Sequence, residues 1–281
     1  MTRVLVLGGA GLVGSHVVGA ATAAVLEVIA PDRRALDLCA PASIERAVAE
    51  ARPDAIVNAA AFTAVDAAED APGLVHATNV TGPGALAETA RRQGAWLVHY
   101  STDFVFGDDA PGQRDEADPV SPVGVYAESK AAGERAVLAA NPAALVARVG
   151  NVYGSGGRNF AARLHALLLA RTPLVLDRER RMSPTAALAI AQQTLALLPH
   201  HPCGIAHMTC HGDATWAVFG RAMAAELGVE APAIEERPSA ALATRVHRPS
   251  VVLAKHALAR WGLDRMPDWR AAMRQYLQTG G

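Results

Sequence analysis

The segment Tyr126-Ala-Glu-Ser-Lys130 places a phenol and an ammonium four residues apart. On a helix that spacing puts both side chains on one face, one turn apart. A cation beside a phenol favours the phenolate and lowers the tyrosine pKa from its reference near 10. A general acid works best when its pKa lies near the operating pH, so such a pair can hand a proton to a carbonyl oxygen. The spacing alone is a weak pattern. Composition sharpens it. The chain has four Tyr, and only Lys130 and Lys255 are lysines among 26 basic residues. Arginine effectively never deprotonates, so a lysine kept at this spacing points to chemistry.

A second constellation lies at the start. Arg3-Val-Leu-Val-Leu7 is a continuous apolar run, the mark of a strand buried on both faces. It leads into Gly8-Gly9-Ala10-Gly11-Leu12-Val13-Gly14, and a helical pattern follows over residues 15–24. Glycines between a buried strand and a helix allow a tight turn, close backbone approach to a pyrophosphate, and close helix–strand packing. The helix N-terminus then faces the phosphates. This is a dinucleotide-binding pattern. A second apolar run over 25–30 ends in Pro31-Asp32-Arg33-Arg34. An acid there bonds the ribose hydroxyls of NAD, and an arginine accommodates the 2′-phosphate of NADP. The adjacent Arg33 and Arg34 favour NADPH and leave NADH open.

These groups need a scaffold. Residues 52–61 read as a third strand opening into Ala59, Ala60 and Ala61, small enough for a cofactor to lie against the backbone. A helical region spans 65–92, with breaks expected near Pro72-Gly73 and Gly82-Pro83-Gly84. Residues 96–100 form the fourth strand, and Thr102 follows where it emerges, placed to donate a hydrogen bond to a ligand carbonyl beside Tyr126. Residues 107–122 read as a loop crossing the site; the Tyr126 helix runs to about 140, and 144–147 is the fifth strand. Strands alternating with helices imply right-handed crossovers and an α/β fold with a doubly wound parallel Rossmann sheet.

Beyond Arg148 the alternation weakens. A loop over 149–157 precedes a helix over 160–171, a strand over 174–176 and a helix from Pro184-Thr185 to near Pro199. Helices near 216–227 and 252–261 and a terminal helix from Trp269 complete a smaller C-terminal α/β lobe. The expected division is a dinucleotide-binding domain over 1–150 and a mainly substrate-binding lobe over 151–281. The strand and helix of about 174–198 are expected to pack back on the first domain.

The formal net charge is −1, with no basic run that would form a nucleic-acid or membrane footprint. No stretch of about 18 apolar residues could cross a bilayer. The N-terminus enters a strand by residue 4, unlike a signal peptide, and three cysteines suit a reducing cytoplasm. His200, His201, Cys203, His207, Cys210 and His211 are dense in ligand types. Their spacing departs from zinc patterns, and a strand over 204–209 would split them between faces, so no metal is expected.

Together these blocks resemble the extended short-chain dehydrogenase/reductases, and more closely the dTDP-4-dehydrorhamnose reductase family. The resemblance rests on the glycine loop, Arg52-Pro-Asp-x-Ile-Val-Asn-Ala-Ala-Ala-x-Thr-Ala-Val-Asp66, His99-Tyr-Ser-Thr-Asp-x-Val-Phe106 and Tyr126-x-x-x-Lys-x-x-Gly-Glu134. Asn159-Phe160-Ala161, Pro184-Thr185, Arg248-Pro249 and Pro267-Asp268-Trp269 extend it. It implies a catalytic set of Thr102, Tyr126 and Lys130, reducing the 4-keto group of a nucleotide-linked 6-deoxyhexose with NAD(P)H. Tyr126 would protonate the oxygen, and Lys130 would hold the nicotinamide ribose. The cofactor would lie along Gly8, Gly11, Leu12, Val13, Gly14, Asp32, Arg33, Asp37, Leu38 and Ala59 to Ala61. Asp103, Asn151 and Arg248 would meet the sugar nucleotide, and a homodimer is an open expectation.

The chain departs from the family at three places. Asn151 stands where a substrate-contacting tryptophan is usual. His16 and Leu188 replace glutamates that hold an intersubunit magnesium in some members. Residues 177–185 are closer in length to the regulatory β subunit of methionine adenosyltransferase. Alternatives are therefore an epimerase or another keto-sugar reductase of the superfamily, and a non-catalytic NADP-binding regulatory subunit.

Overall fold

Alternation along each strand decides which helices cover which side of the sheet. The computed structural model describes residues 1–107, 112–156, 159–229, 234–242 and 244–279. Its central sheet contains β1 (Arg3–Leu7), β2 (Glu27–Ile29), β3 (Ala55–Asn58), β4 (Trp96–Thr102), β5 (Leu145–Val149) and β6 (Gly204–His207). Their spatial order is β6-β5-β4-β3-β1-β2, and every neighbouring pair is parallel. The principal helices around it are α1 (Leu12–Ala23), α2 (Pro41–Ala51), α3 (Gly82–Gln93), α4 (Val125–Ala140) and α5 (Ala187–Leu197). Val4, Val6, Val57 and Val98 join a core with Val17 of α1 and Ile190 of α5. Leu5, Leu7, Ile56 and Leu97 join a second core with Ile44 of α2, Leu86 of α3 and Val137 of α4. Successive strand residues point to opposite faces, and helices bury both.

The strand order reverses between β1 and β3, which leaves a crevice at their carboxyl ends. Gly8 turns the chain there at φ +73°, a left-handed conformation that glycine adopts without cost. A β-carbon at Gly8 would lie 2.8 Å from the Ala59 carbonyl and the Ala60 nitrogen. The glycine loop and the alanine turn after β3 therefore meet at the switch point.

Beyond β5, α5 lies against α1, and β6 extends the central sheet beside β5. The strand Leu174–Asp177 pairs with Ile234–Arg237 away from that sheet. The helix expected over 252–261 begins only at His256, because Val252–Leu253 forms a strand with Gln113–Arg114 inside the expected 107–122 loop. In that loop Asp108 to Pro111 lie outside the described residues, as does Gly157 of the 149–157 loop.

One expectation fails for an instructive reason. Gly82-Pro83-Gly84 does not break the helical region. The helix Pro72–His76 passes through a π-helical stretch, Ala77–Thr81, directly into α3. The wider turn carries the chain into Pro83 near the start of α3, where the missing proline N–H costs little. It also turns Asn79 into the protein. Asn79 is fully buried, accepts from the Phe62 N–H at 2.8 Å, and donates to Ser129 of α4 at 3.0 Å. The π stretch thereby joins the segment after β3 to α4.

Gly133 lets α4 sit this close, since a β-carbon there would collide with the Asn79 carbonyl. Gly133→Ala must push α4 off the π stretch. Overpacking of this kind costs about 1–3 kcal/mol or more. Thermal unfolding should show a melting temperature several degrees lower; an unchanged one would mean that α4 has room to move.

Candidate active site

Helix α4 buries one broad stripe, with Tyr126, Lys130, Glu134 and Val137 recurring at three- and four-residue intervals. Its start has no side-chain cap of its own. Glu69, from the segment after β3, accepts the Val125 N–H at 2.8 Å and satisfies one orphan donor. Further along, Glu134 receives both arms of Arg148 from β5, at 2.9 and 2.7 Å, with both side chains at most 5% exposed. A fork of this kind fixes orientation as well as distance. The Phe106 ring lies under the Arg148 guanidinium at 4.9 Å.

Tyr126 and Lys130 share the face that the spacing predicts, and both are buried. The Lys130 Nζ donates to the Tyr100 carbonyl at 2.7 Å and lies 3.4 Å from His99 Nε2. Burial pushes the ammonium down to about 8, against the pull of Glu134. The phenol moves the other way from the sequence expectation. Burial, reinforced by the charge of Asp103, drives Tyr126 up to about 12, while Thr102 and Arg248 pull it down. Lys130 is turned towards the Tyr100 carbonyl. Tyr126 therefore keeps its proton at neutral pH, the form a general acid needs.

Thr102, Asp103, Asn151 and Arg248 gather around Tyr126. The Thr102 hydroxyl donates to Asp103 Oδ1 at 3.0 Å, and the Asn151 amide donates to Asp103 Oδ2 at 3.1 Å. Asn151 sits at φ +43°, a left-handed conformation that asparagine tolerates better than bulkier residues. Arg248 binds Asp66 at 2.9 Å, and its guanidinium lies over Phe104, which meets the Tyr126 ring edge-on at 5.7 Å. Its buried Nη1 has no hydrogen-bond partner among the described residues, so it can take an acceptor from a ligand. Arg245 grips Asp70 with two 2.6 Å bonds alongside.

The crevice fits a dinucleotide. Gly11 precedes helix α1 with no side-chain cap, and no acidic residue lies in the first turn, so the orphan amides of that turn can face a phosphate. Leu12, Val13 and Gly14 form that first turn, and Leu38 is buried against Gly82. Asp32, Arg33 and Asp37 stand apart from the Tyr126 cluster, in the segment after β2. Asp32 Oδ1 accepts the Arg34 and Ala35 N–H groups, Asp37 Oδ1 accepts that of Cys39, and the Arg33 side chain is 76% exposed. His16 and Leu188 line a small cavity of about 160 Å³ with Ser155 and Tyr276. Among the described residues no group of three His, Cys, Asp or Glu could hold a metal. His201 stacks on Trp96, His207 is buried, and His211 pairs with Asp264.

Sequence reading missed Asn58, Asn79 and His99. An asparagine inside a helical stretch is a weak signal, and a histidine ending an apolar strand run is another; neither names a partner.

A parallel sheet with a glycine crevice at its switch point, and a Tyr/Lys pair on the helix before β5, define an extended short-chain dehydrogenase/reductase. Residues 1–280 match the family described as RmlD substrate binding domain, and the chain belongs to this dTDP-4-dehydrorhamnose reductase family. It is 35% identical over 280 residues to the dTDP-4-dehydrorhamnose reductase of Streptomyces griseus, covering 96% of this chain and 91% of that one. It is 32% identical to the spore coat polysaccharide biosynthesis protein SpsK of Bacillus subtilis (strain 168), covering 99% and 98%. The fold superposes on a dTDP-4-dehydrorhamnose reductase of Bacillus anthracis str. Ames, solved in complex with NADP, with a TM-score of 0.94, 24% identity, and coverage of 99% and 100%.

Asp103 offers a pH test of the site. Burial raises its carboxyl to about 7, against the hydrogen bonds of Thr102 and of the Asp103 and Phe104 amides. Between the unfolded-state value near 3.9 and about 7, the folded chain holds a proton that the unfolded chain has lost. Stability from this group is thus full below that window and falls as pH rises through it. Asp103→Asn cannot ionise. From pH 5 to pH 8 the melting temperature of the variant relative to wild type should move by several degrees in the variant's favour. A constant difference would show that Asp103 is ionised throughout.

Proposed function

We propose that the chain catalyses NADPH-dependent reduction of the 4-keto group of a nucleotide-activated 6-deoxyhexose. The observation that carries this reading is a continuous chain of contacts. It runs from Gly8 at the crevice, through the alanine turn, Asn58 and His99, to Lys130, one turn from a buried and protonated Tyr126. Gly8, Gly11 to Gly14, Ala59 to Ala61 and Lys130 are the residues that would hold the cofactor. Bound NADPH supplies the hydride. Tyr126 gives its proton to the carbonyl oxygen as negative charge develops there, and the Thr102 hydroxyl, which donates to Asp103 Oδ1 here, turns to orient that oxygen. Asp103 and Asn151 meet hydroxyl groups of the substrate, and the free Nη1 of Arg248 meets a hydroxyl or phosphate oxygen. Recognition of the sugar nucleotide is assigned mainly to residues 151–281.

Preference for NADPH follows from the segment after β2. One Asp32 oxygen is spent on two backbone amides, whereas Arg34 is exposed and Arg33, held by a long, exposed 3.9 Å pair with Asp37, can turn to a 2′-phosphate. Arg33→Ala should weaken NADPH binding about tenfold and leave NADH nearly unchanged, since a charge-assisted contact is worth roughly 1.5–3 kcal/mol before exposure discounts it. Equal losses for both cofactors would remove Arg33 from this role.

We also place the protein in the cytoplasm, in keeping with three unpaired cysteines; no helix of the described residues is long and apolar enough to cross a membrane. Assembly as a homodimer is proposed on family grounds and is checked by sedimentation.

Tyr126→Phe tests the reaction itself. It keeps the ring and its packing while removing the acid. Single-turnover oxidation of NADPH with a 4-keto sugar nucleotide should slow by about 10²–10⁴, while cofactor affinity changes by about 1 kcal/mol or less. Near-normal turnover would take Tyr126 out of the reaction. A wild type that binds NADPH and oxidises none of it across a panel of keto sugars would favour the regulatory reading.

A further inference from the structure

A histidine lies buried beneath α4, and hydride transfer alone gives it no task. His99, on β4, is 1% exposed and is the cross-strand neighbour of Asn58 on β3. Asn58 cannot turn freely. Its Oδ1 accepts the Ala60 N–H at 3.1 Å, so its amide nitrogen faces His99 Nδ1, at 3.0 Å. Nδ1 is therefore an acceptor. A neutral imidazole carries one N–H, which must then be on Nε2. Burial, and then the charge of Lys130, hold His99 well below the usual imidazole pKa, so the ring stays neutral. Nε2 in turn lies 3.4 Å from Lys130 Nζ. An N–H aimed at an ammonium opposes two donors, whereas a neutral amine offers that N–H a lone pair.

We propose that Asn58 and His99 are positioning residues for Lys130: His99, locked as its Nε2–H tautomer, disfavours the ammonium and ties Lys130 to the turn Ala59 to Ala61. The role assigned to Lys130 rests on the reductase reading; the tautomer does not. The other titratable groups on elements around α4 are engaged elsewhere. Glu134, on the same helix, favours the ammonium but is forked by Arg148 of β5. Asp103, after β4, is held by Thr102 and Asn151. Asp66 and Asp70 are paired with Arg248 and Arg245, and Glu69 caps α4. His76 faces Thr81, and Glu88, Arg91 and Arg92 of α3 form exposed ion pairs. Tyr126 remains protonated. Among the described residues, His99 is the titratable side chain in direct contact with Nζ.

The chain has two lysines, so ¹⁵N-lysine NMR of the full protein resolves Lys130 once a Lys255→Arg spectrum assigns the other. His99→Met and His99→Gln have similar shape, but only Gln keeps a donor with the reach of Nε2. The Lys130 pKa should rise by about one unit in His99→Met and stay near wild type in His99→Gln. The alkaline limb of kcat should move with it. Asn58→Asp, which draws the proton to Nδ1, should also raise it and carries the test if His99→Met does not fold. An Nδ1–H tautomer in ¹⁵N-histidine spectra of the wild type, or an unmoved Lys130 in folded His99→Met, would overturn the proposal. A wild type with this Lys130 response but no turnover would sustain the pair and overturn the reductase reading.

Discussion

A lysine taken out of water is expensive, and much of this structure answers that cost. Lys130 is 2% exposed, and burying an ammonium without partners costs several kcal/mol. The Tyr100 carbonyl compensates it directly, and Glu134 does so at longer range. Glu134 in turn needs Arg148, which rests on Phe106. Helix α4 is thereby held at one height above the ends of β4 and β5. That height sets where Tyr126 stands. A guanidinium at position 130 would keep its charge under all conditions.

What was legible in the sequence is what is local in the chain. The glycine loop declares itself because a strand precedes it and a helix follows within fifteen residues. Tyr126 and Lys130 declare themselves because a helical turn separates them. Alternation and right-handed crossovers then imply a doubly wound parallel sheet, while its strand order and switch point come from the structure. Groups that act across the sheet carry no such signal. Asn79 meets Ser129 at a separation of 50 residues, and Asn58 meets His99 at 41. The phenol's displacement to about 12 was equally invisible. Spacing places a cation near Tyr126, but only the fold shows that the cation is turned towards a carbonyl. The π stretch misled in a similar way: glycine and proline read as a break where a widened turn absorbs them.

The substrate side of the cleft depends on polar groups that restrain one another. Asp103 accepts from Thr102 and Asn151, and Asn151 holds a backbone conformation unsuited to a large aromatic residue. Exchanging Asn151 for a tryptophan would change the backbone and the carboxyl together, not only the volume of the pocket. Residues 151 and 103 are one unit, and specificity at this corner belongs to the pair.

The Arg245–Asp70 and Arg248–Asp66 pairs join residues 175 and 182 positions apart. A ribosome builds the chain from its N-terminus, and folding follows synthesis in that order. Asp66, Asp70, Tyr126 and Lys130 have all been made long before the arginines that close over them. During synthesis the central strands can pair while the cleft still lacks one wall. The charges of Asp66 and Asp70 then lie exposed on a nascent surface, where they favour solubility over premature association. Completion of the cleft waits for the synthesis of Arg245 and Arg248.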